Sequence, residues 1–193
     1  VVTVMMRVVF LLFAQERGLL PQSQLFTDAY GLSGQLDALR ARVNDAGGEE
    51  SLENTFGVWH RLLATSRLLY EGSNFEDVRL PAYGGSLFAP DRFDFLSARS
   101  ERGTLSLPVN DRVMLHVLDA VQLATVGGER RPISFRDIDV EQIGYIYEGL
   151  LGHTCRFAAE TTVGLIGRKR GAEPEITLAE LDALVTPDLT SPG

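Results

Sequence analysis

The side chains able to do chemistry are few and scattered. Three histidines, His60, His116 and His153, fall in different stretches, and no two have the spacing of ligands on one helix. His153 with Cys155 offers two donors, whereas a zinc site needs three or four, so no metal centre is expected. Cys155 has no second cysteine for an internal disulfide and reads as a buried or indifferent thiol. Ser86 follows two glycines without the G-x-S-x-G elbow that raises a nucleophilic serine. Gly164-Leu165-Ile166-Gly167 fits neither the phosphate loop nor the dinucleotide fingerprint. No catalytic, cofactor-binding or metal residue is assigned.

Two charged clusters remain. Asp137, Asp139 and Glu141 could form an acid/base pair or hold Mg²⁺ if they converged in a pocket. Helix capping accounts for them more simply: Asp139 caps, Gln142 reaches back, and Glu141 sits at the positive end of the dipole. The basic run Arg168-Lys169-Arg170, at the expected tip of a hairpin and helped by Arg130-Arg131, is the candidate for DNA-phosphate contact. A solvated turn is the plainer reading of the same residues.

Composition bounds the rest. With 193 residues and 45% hydrophobic content, the chain can bury one core, or a core plus a small appendage. A net charge of −8 argues against its wrapping nucleic acid alone, because non-specific affinity comes from basic groups displacing counterions. The lone cysteine suits a reducing cytoplasm. Residues 1–14 are apolar except for Thr3 and Arg7. Arg7 mid-run, and no small-residue cleavage site after it, argue against a signal peptide, and the run is too short to span a bilayer. No membrane is expected. Val1 is not a natural initiator, so we expect a chain cut from a longer protein, its first helix packing on something upstream.

The elements that must carry these residues are mostly helices. The patterns predict helices over 1–17, in part of 22–31, over 33–44, and over 51–71 with Ser51 as cap. Trp59 and Phe56 on the last of these are expected in the core. Residues 72–108 carry Pro81, Gly84, Gly85, Pro90, Gly103 and Pro108, and predict irregular structure with one short helix at 91–96. Within them Leu80-Pro81-Ala82-Tyr83-Gly84-Gly85-Ser86-Leu87-Phe88 is apolar enough to lie on the core, as a wedge against a neighbour or as a packed loop. A helix follows over 110–126 and a short strand over 131–135. Next comes the capped helix, with Ile143, Ile146, Tyr147, Leu150 and Leu151 on one expected buried stripe. Residues 156–166 and 175–176 predict a β-hairpin, and Thr177 with Glu180 caps a last short helix before a tail. The fold class is therefore mainly α: a helical connector domain over 1–152, with a packed loop at 72–108. A small β-hairpin, short helix and tail follow over 153–193.

The helix Asp139-Val140-Glu141-Gln142-Ile143-Gly144-Tyr145-Ile146-Tyr147-Glu148-Gly149-Leu150-Leu151 resembles the one standing just before the catalytic domain in restriction-modification DNA adenine methyltransferases. These include type I modification subunits and the single-chain type IIG and phage-defence enzymes. Phe10-Leu11-Leu12-Phe13-Ala14-Gln15-Glu16-Arg17-Gly18-Leu19-Leu20-Pro21 and the stretch from Leu80 to Phe88 resemble the same group, in the same order. The resemblance implies a parent that transfers a methyl group from S-adenosylmethionine to N6 of adenine, in some relatives with a nuclease. It implies DNA, a flanking methyltransferase domain and an upstream domain or subunit as partners. The cofactor loop and the Asn-Pro-Pro-Tyr type motif, which follow this helix in the family, are absent. The expected role is a scaffold without catalytic residues, leading to a catalytic domain beyond it. The rival is a stand-alone helical protein–protein interaction module.

Overall fold

Helix α1, Val2–Glu16, is the element around which the first unit is built. In the computed structural model, which describes residues 1–75, 78–105, 107–152, 157–165 and 175–185, its Val8, Val9, Leu11, Leu12 and Ala14 are all buried. The apolar run is covered by the chain's own α4 (Gly57–Glu71), α6 (Asp111–Gln122) and α7 (Val140–Leu151). This corrects the expectation that α1 needs an upstream partner to hide its surface: its own unit supplies the cover.

The short α2, Gln24–Tyr30, is capped by Ser23 and buries Phe26. Helix α3, Gln35–Ala46, sets Leu36 and Leu39 into the core, and a 3-10 turn, Glu49–Leu52, adds Leu52. Ser51 belongs to that turn and does not cap a helix: its hydroxyl donates to the Gly48 carbonyl at 2.9 Å. Helix α4 begins six residues later. Trp59 is buried as expected, whereas Phe56, at the N-cap position, is only half-buried.

Residues 72–108 hold more order than their prolines and glycines suggest. Strands β1 (Ser73–Phe75) and β2 (Val78–Leu80) form a small antiparallel pair where irregular structure was expected. The following loop does lie on the core, through Leu80 and Phe88, while Tyr83 stays exposed. A one-turn helix α5, Asp94–Ser97, buries Leu96.

Helix α6 starts from Asn110, whose side chain accepts from the Val113 N–H at 3.0 Å. It stops at Gln122, four residues before the expected end, because the next residues form β3 (Leu123–Val126), paired with β4 (Glu129–Pro132). Gly127 and Gly128 both have positive φ, as a two-residue hairpin matched to the right-handed strand twist requires. The strand expected at 131–135 thus lies earlier, at 129–132.

Helix α7 has the predicted cap: the Gln142 side-chain oxygen accepts from the Asp139 N–H at 2.8 Å. The chain divides into two compact units, residues 1–152 and 153–193. The second unit holds the predicted hairpin, β5 (Thr162–Gly164) with β6 (Glu175–Thr177), and α8, Leu178–Val185. Its capping box is complete: Glu180 accepts from the Thr177 N–H at 3.0 Å, and the Thr177 hydroxyl accepts from the Glu180 N–H at 3.2 Å. Bonding to the Thr177 backbone and hydroxyl lowers the Glu180 carboxyl from its ordinary pKa. The fold is mainly α with small β-hairpins, and no helix among the described residues is long and apolar enough to cross a membrane.

Candidate functional site

Among the described residues, the clusters singled out from sequence do not assemble into one site. Arg168, Lys169 and Arg170, the candidate phosphate contacts, lie outside the described residues, as do His153 and Cys155. Arg130 and Arg131 are engaged elsewhere. Arg130 pairs with Asp119, which also takes Arg40, and Arg131 pairs with Glu129 at 2.8 Å. Each guanidinium that already holds a carboxylate has less charge to offer a phosphate. The bond from Arg130, with that from Arg40 behind it, lowers the Asp119 carboxyl below its ordinary range.

Asp137, Asp139 and Glu141 stay on the surface at the start of α7, and Asp139 also faces Arg17 at 3.8 Å. His116 reaches Glu49 at 3.0 Å, and Arg112 binds Glu49 and Glu53 beside it, so this carboxylate pair already has partners within the chain. Among the described residues no group of three or more His, Cys, Asp or Glu is placed to hold a metal ion.

Two features do stand out. The first is the outer side of α7. Ile143, Ile146 and Leu150 are half-buried where the helix packs on α1, but Val140, Tyr147 and Leu151 are 73%, 45% and 55% exposed. At 3.6 residues per turn Val140, Gly144, Tyr147 and Leu151 form one continuous stripe beside the half-buried one. The expected single buried stripe is therefore split. One neighbouring helix covers only a narrow seam, and Tyr147 and Leu151 fall outside it. Two contacts fix the helix: Arg17 donates to the Ile138 carbonyl at 2.8 Å, and Glu16 accepts from the Arg136 N–H at 3.3 Å.

The second is a cleft of about 1030 Å³ between α4 and the segment running from Phe88 to Pro108. Its wall is mainly apolar, with Phe56, Leu63, Phe88, Phe93, Leu96 and Leu105, and His60, Ser66 and Thr104 add polar groups. Arg7 of α1 reaches into it from below. This arginine is only 4% exposed. Its Nε donates to the Leu87 carbonyl at 2.9 Å, and its guanidinium carbon lies 5.5 Å from the Phe93 ring centre and 5.8 Å from that of Phe88. Among the described residues it has no carboxylate partner, and burial lowers its pKa from the ordinary value. At the rim Arg67 is paired with Glu71, and Arg99 donates to the Gly103 carbonyl at 2.6 Å. In the sequence Arg7 argues only against a signal peptide. Its isolation, as the one charge among residues 1–14, is the available signal of a buried cation.

No family model, curated protein or solved structure matches this chain.

Proposed function

We propose that this chain is a helical scaffold segment of a DNA adenine-N6 methyltransferase of restriction-modification or phage-defence type. The observation that carries the reading is the exposed stripe Val140, Tyr147 and Leu151 on α7, the helix that bears the strongest resemblance to that group. A soluble helix gains nothing by leaving a tyrosine, a leucine and a valine in water on one face. Such a stripe is what a flanking catalytic domain would cover. The stretch from Leu80 to Phe88, which carries another part of the resemblance, is seated on the same unit by the Tyr83 N–H donating to the Leu69 carbonyl at 3.0 Å.

In this reading α7 holds the methyltransferase domain in register, and an upstream domain or subunit and DNA complete the assembly. Arg168, Lys169 and Arg170 would add sequence-independent phosphate contact. S-adenosylmethionine belongs to the flanking domain: no cofactor loop exists here, and the segment contributes no step of methyl transfer. A stand-alone interaction module is the second reading, favoured by the same exposed stripe together with the net charge of −8.

The two readings part in one experiment. The purified 193 residues should transfer no methyl group to DNA. In the whole protein, Tyr147→Ser with Leu151→Ser should lower methyl transfer roughly tenfold or more, the cost of losing two apolar anchors at an interface. Unchanged methylation by the double variant, or methylation by the segment alone, would sink the scaffold reading.

A further inference from the structure

We propose that the cleft over Arg7 is a binding site for a small organic carboxylate carrying a flat apolar body. A guanidinium removed from water is costly unless something anionic or strongly accepting meets it. Arg7 is buried, yet its Nε bond to the Leu87 carbonyl is to a neutral acceptor, and its other neighbours are the rings of Phe88 and Phe93, 5.8 and 5.5 Å from the guanidinium carbon. The two terminal nitrogens of the fork have no acceptor assigned among the described residues, and the side chain lines the cleft. That leaves a planar pair of donors suited to a carboxylate in the bidentate geometry arginine prefers.

The surroundings narrow the ligand class. Phe56, Phe88, Phe93 and Leu96 line the cleft and offer ring-sized apolar contact. A cleft of about 1030 Å³ lies at the upper end of the range for small-molecule pockets. One buried positive charge balances one negative charge. A carboxylate meets that condition at Arg7, whereas a phosphate monoester, at about −1.5 to −2, would bring further charge to a cleft whose other arginines are engaged at the rim, Arg67 by Glu71 and Arg99 by the Gly103 carbonyl. Arg99 at the exposed rim adds attraction on approach without entering the pair.

Calorimetric titration of the 193-residue chain with 2-naphthoate, 2-naphthamide and inorganic phosphate tests this. The naphthoate should bind saturably, and the neutral amide should bind roughly tenfold to hundredfold more weakly, the range expected for hydrogen bonds to a charged group. Arg7→Met should bring the naphthoate down to the amide's level, and Phe93→Ala should weaken both together. Urea unfolding of Arg7→Met should show a midpoint at or above that of the unaltered chain, since a buried cation with no carboxylate partner among the described residues has been removed. If that variant does not fold, the acid–amide comparison on the unaltered chain decides alone. Equal affinity for acid and amide, no saturable naphthoate binding at millimolar concentration, or phosphate binding as tightly as naphthoate would each overturn the proposal.

Discussion

Asp111 caps a helix that begins 54 residues before it: its carboxylate accepts from the Val58 N–H at 2.9 Å and the Gly57 N–H at 3.2 Å. It is itself the first residue of α6 and only 1% exposed, so one side chain joins the starts of two helices inside the core. Arg42 stands 3.5 Å away, and the Asp111 N–H donates to the Thr55 carbonyl at 2.7 Å. The negative charge also lies at the positive end of the α4 dipole. Asp111→Ala should lower unfolding free energy by about 2–4 kcal/mol, because two helix-start donors lose their partner in a buried place. Asp111→Asn, which keeps one acceptor, should lose less. Urea denaturation measures both; a loss for alanine under about 0.5 kcal/mol, the usual range of a surface change, would refute the cap.

Gly72 ends α4 in a conformation that side chains rarely take, with φ 78° and ψ 177°. A Cβ built there would come within 2.7 Å of the Ala82 nitrogen and 2.9 Å of the Leu80 carbonyl oxygen. Gly72→Ala should therefore destabilise by about 2 kcal/mol or more, against the gain alanine brings where the backbone suits it. Thermal unfolding by circular dichroism would show it as a clear fall in Tm, and an unchanged Tm would mean the loop does not sit where described.

Asp119 gives the acid limb of stability a local component. Arg130 and Arg40 hold its carboxyl below the ordinary value, so its folded pKa is the lower one. Stability from this group is then fully present above the unfolded-state pKa of about 3.9 and is lost as pH falls through the folded value. The group is partly exposed, and solvent screening limits the effect to about 1 kcal/mol or less. The stability difference between the unaltered chain and Asp119→Asn should shrink over the interval below about pH 4, where first the unfolded and then the folded carboxylate gains its proton. A difference that stays constant over that interval would mean the two arginines do not bind the carboxylate in solution.

The outer stripe of α7 should be energetically idle in the isolated chain. Tyr147→Ser and Leu151→Ser remove side chains about half exposed on the surface of α7 and should each change stability far less than a core truncation, by about 0.5 kcal/mol. Leu12→Ala, at a site with no exposure, should cost about 2–5 kcal/mol. Equal losses at the two kinds of site would mean that α7 is buried in solution.

What is legible in the sequence is what neighbouring residues decide. Asp139 with Gln142, Thr177 with Glu180, and the hairpin joining Thr162 to Thr177 all involve contacts set by spacing along a short stretch. The cap on α4 is not legible in this way, because Ser51 has the right chemistry nearby while Asp111 arrives from another helix. The end of α6 is hidden for a different reason. Leu123-Ala124-Thr125-Val126 continues an apolar helical pattern, and only pairing with residues beyond Gly127-Gly128 makes it a strand. Periodicity locates the apolar face of α7 but not its burial, which depends on how wide a neighbour α1 is. Arg7 is visible as a lone charge, whereas its burial without a carboxylate partner among the described residues shows only in three dimensions.

The most direct measurement is the sequence of the native coding region downstream of Gly193. The scaffold reading predicts that it continues into a glycine-bearing cofactor loop followed by an Asn-Pro-Pro-Tyr type motif. A stop codon soon after Gly193 would contradict a methyltransferase role for this polypeptide and leave the interaction module as its function.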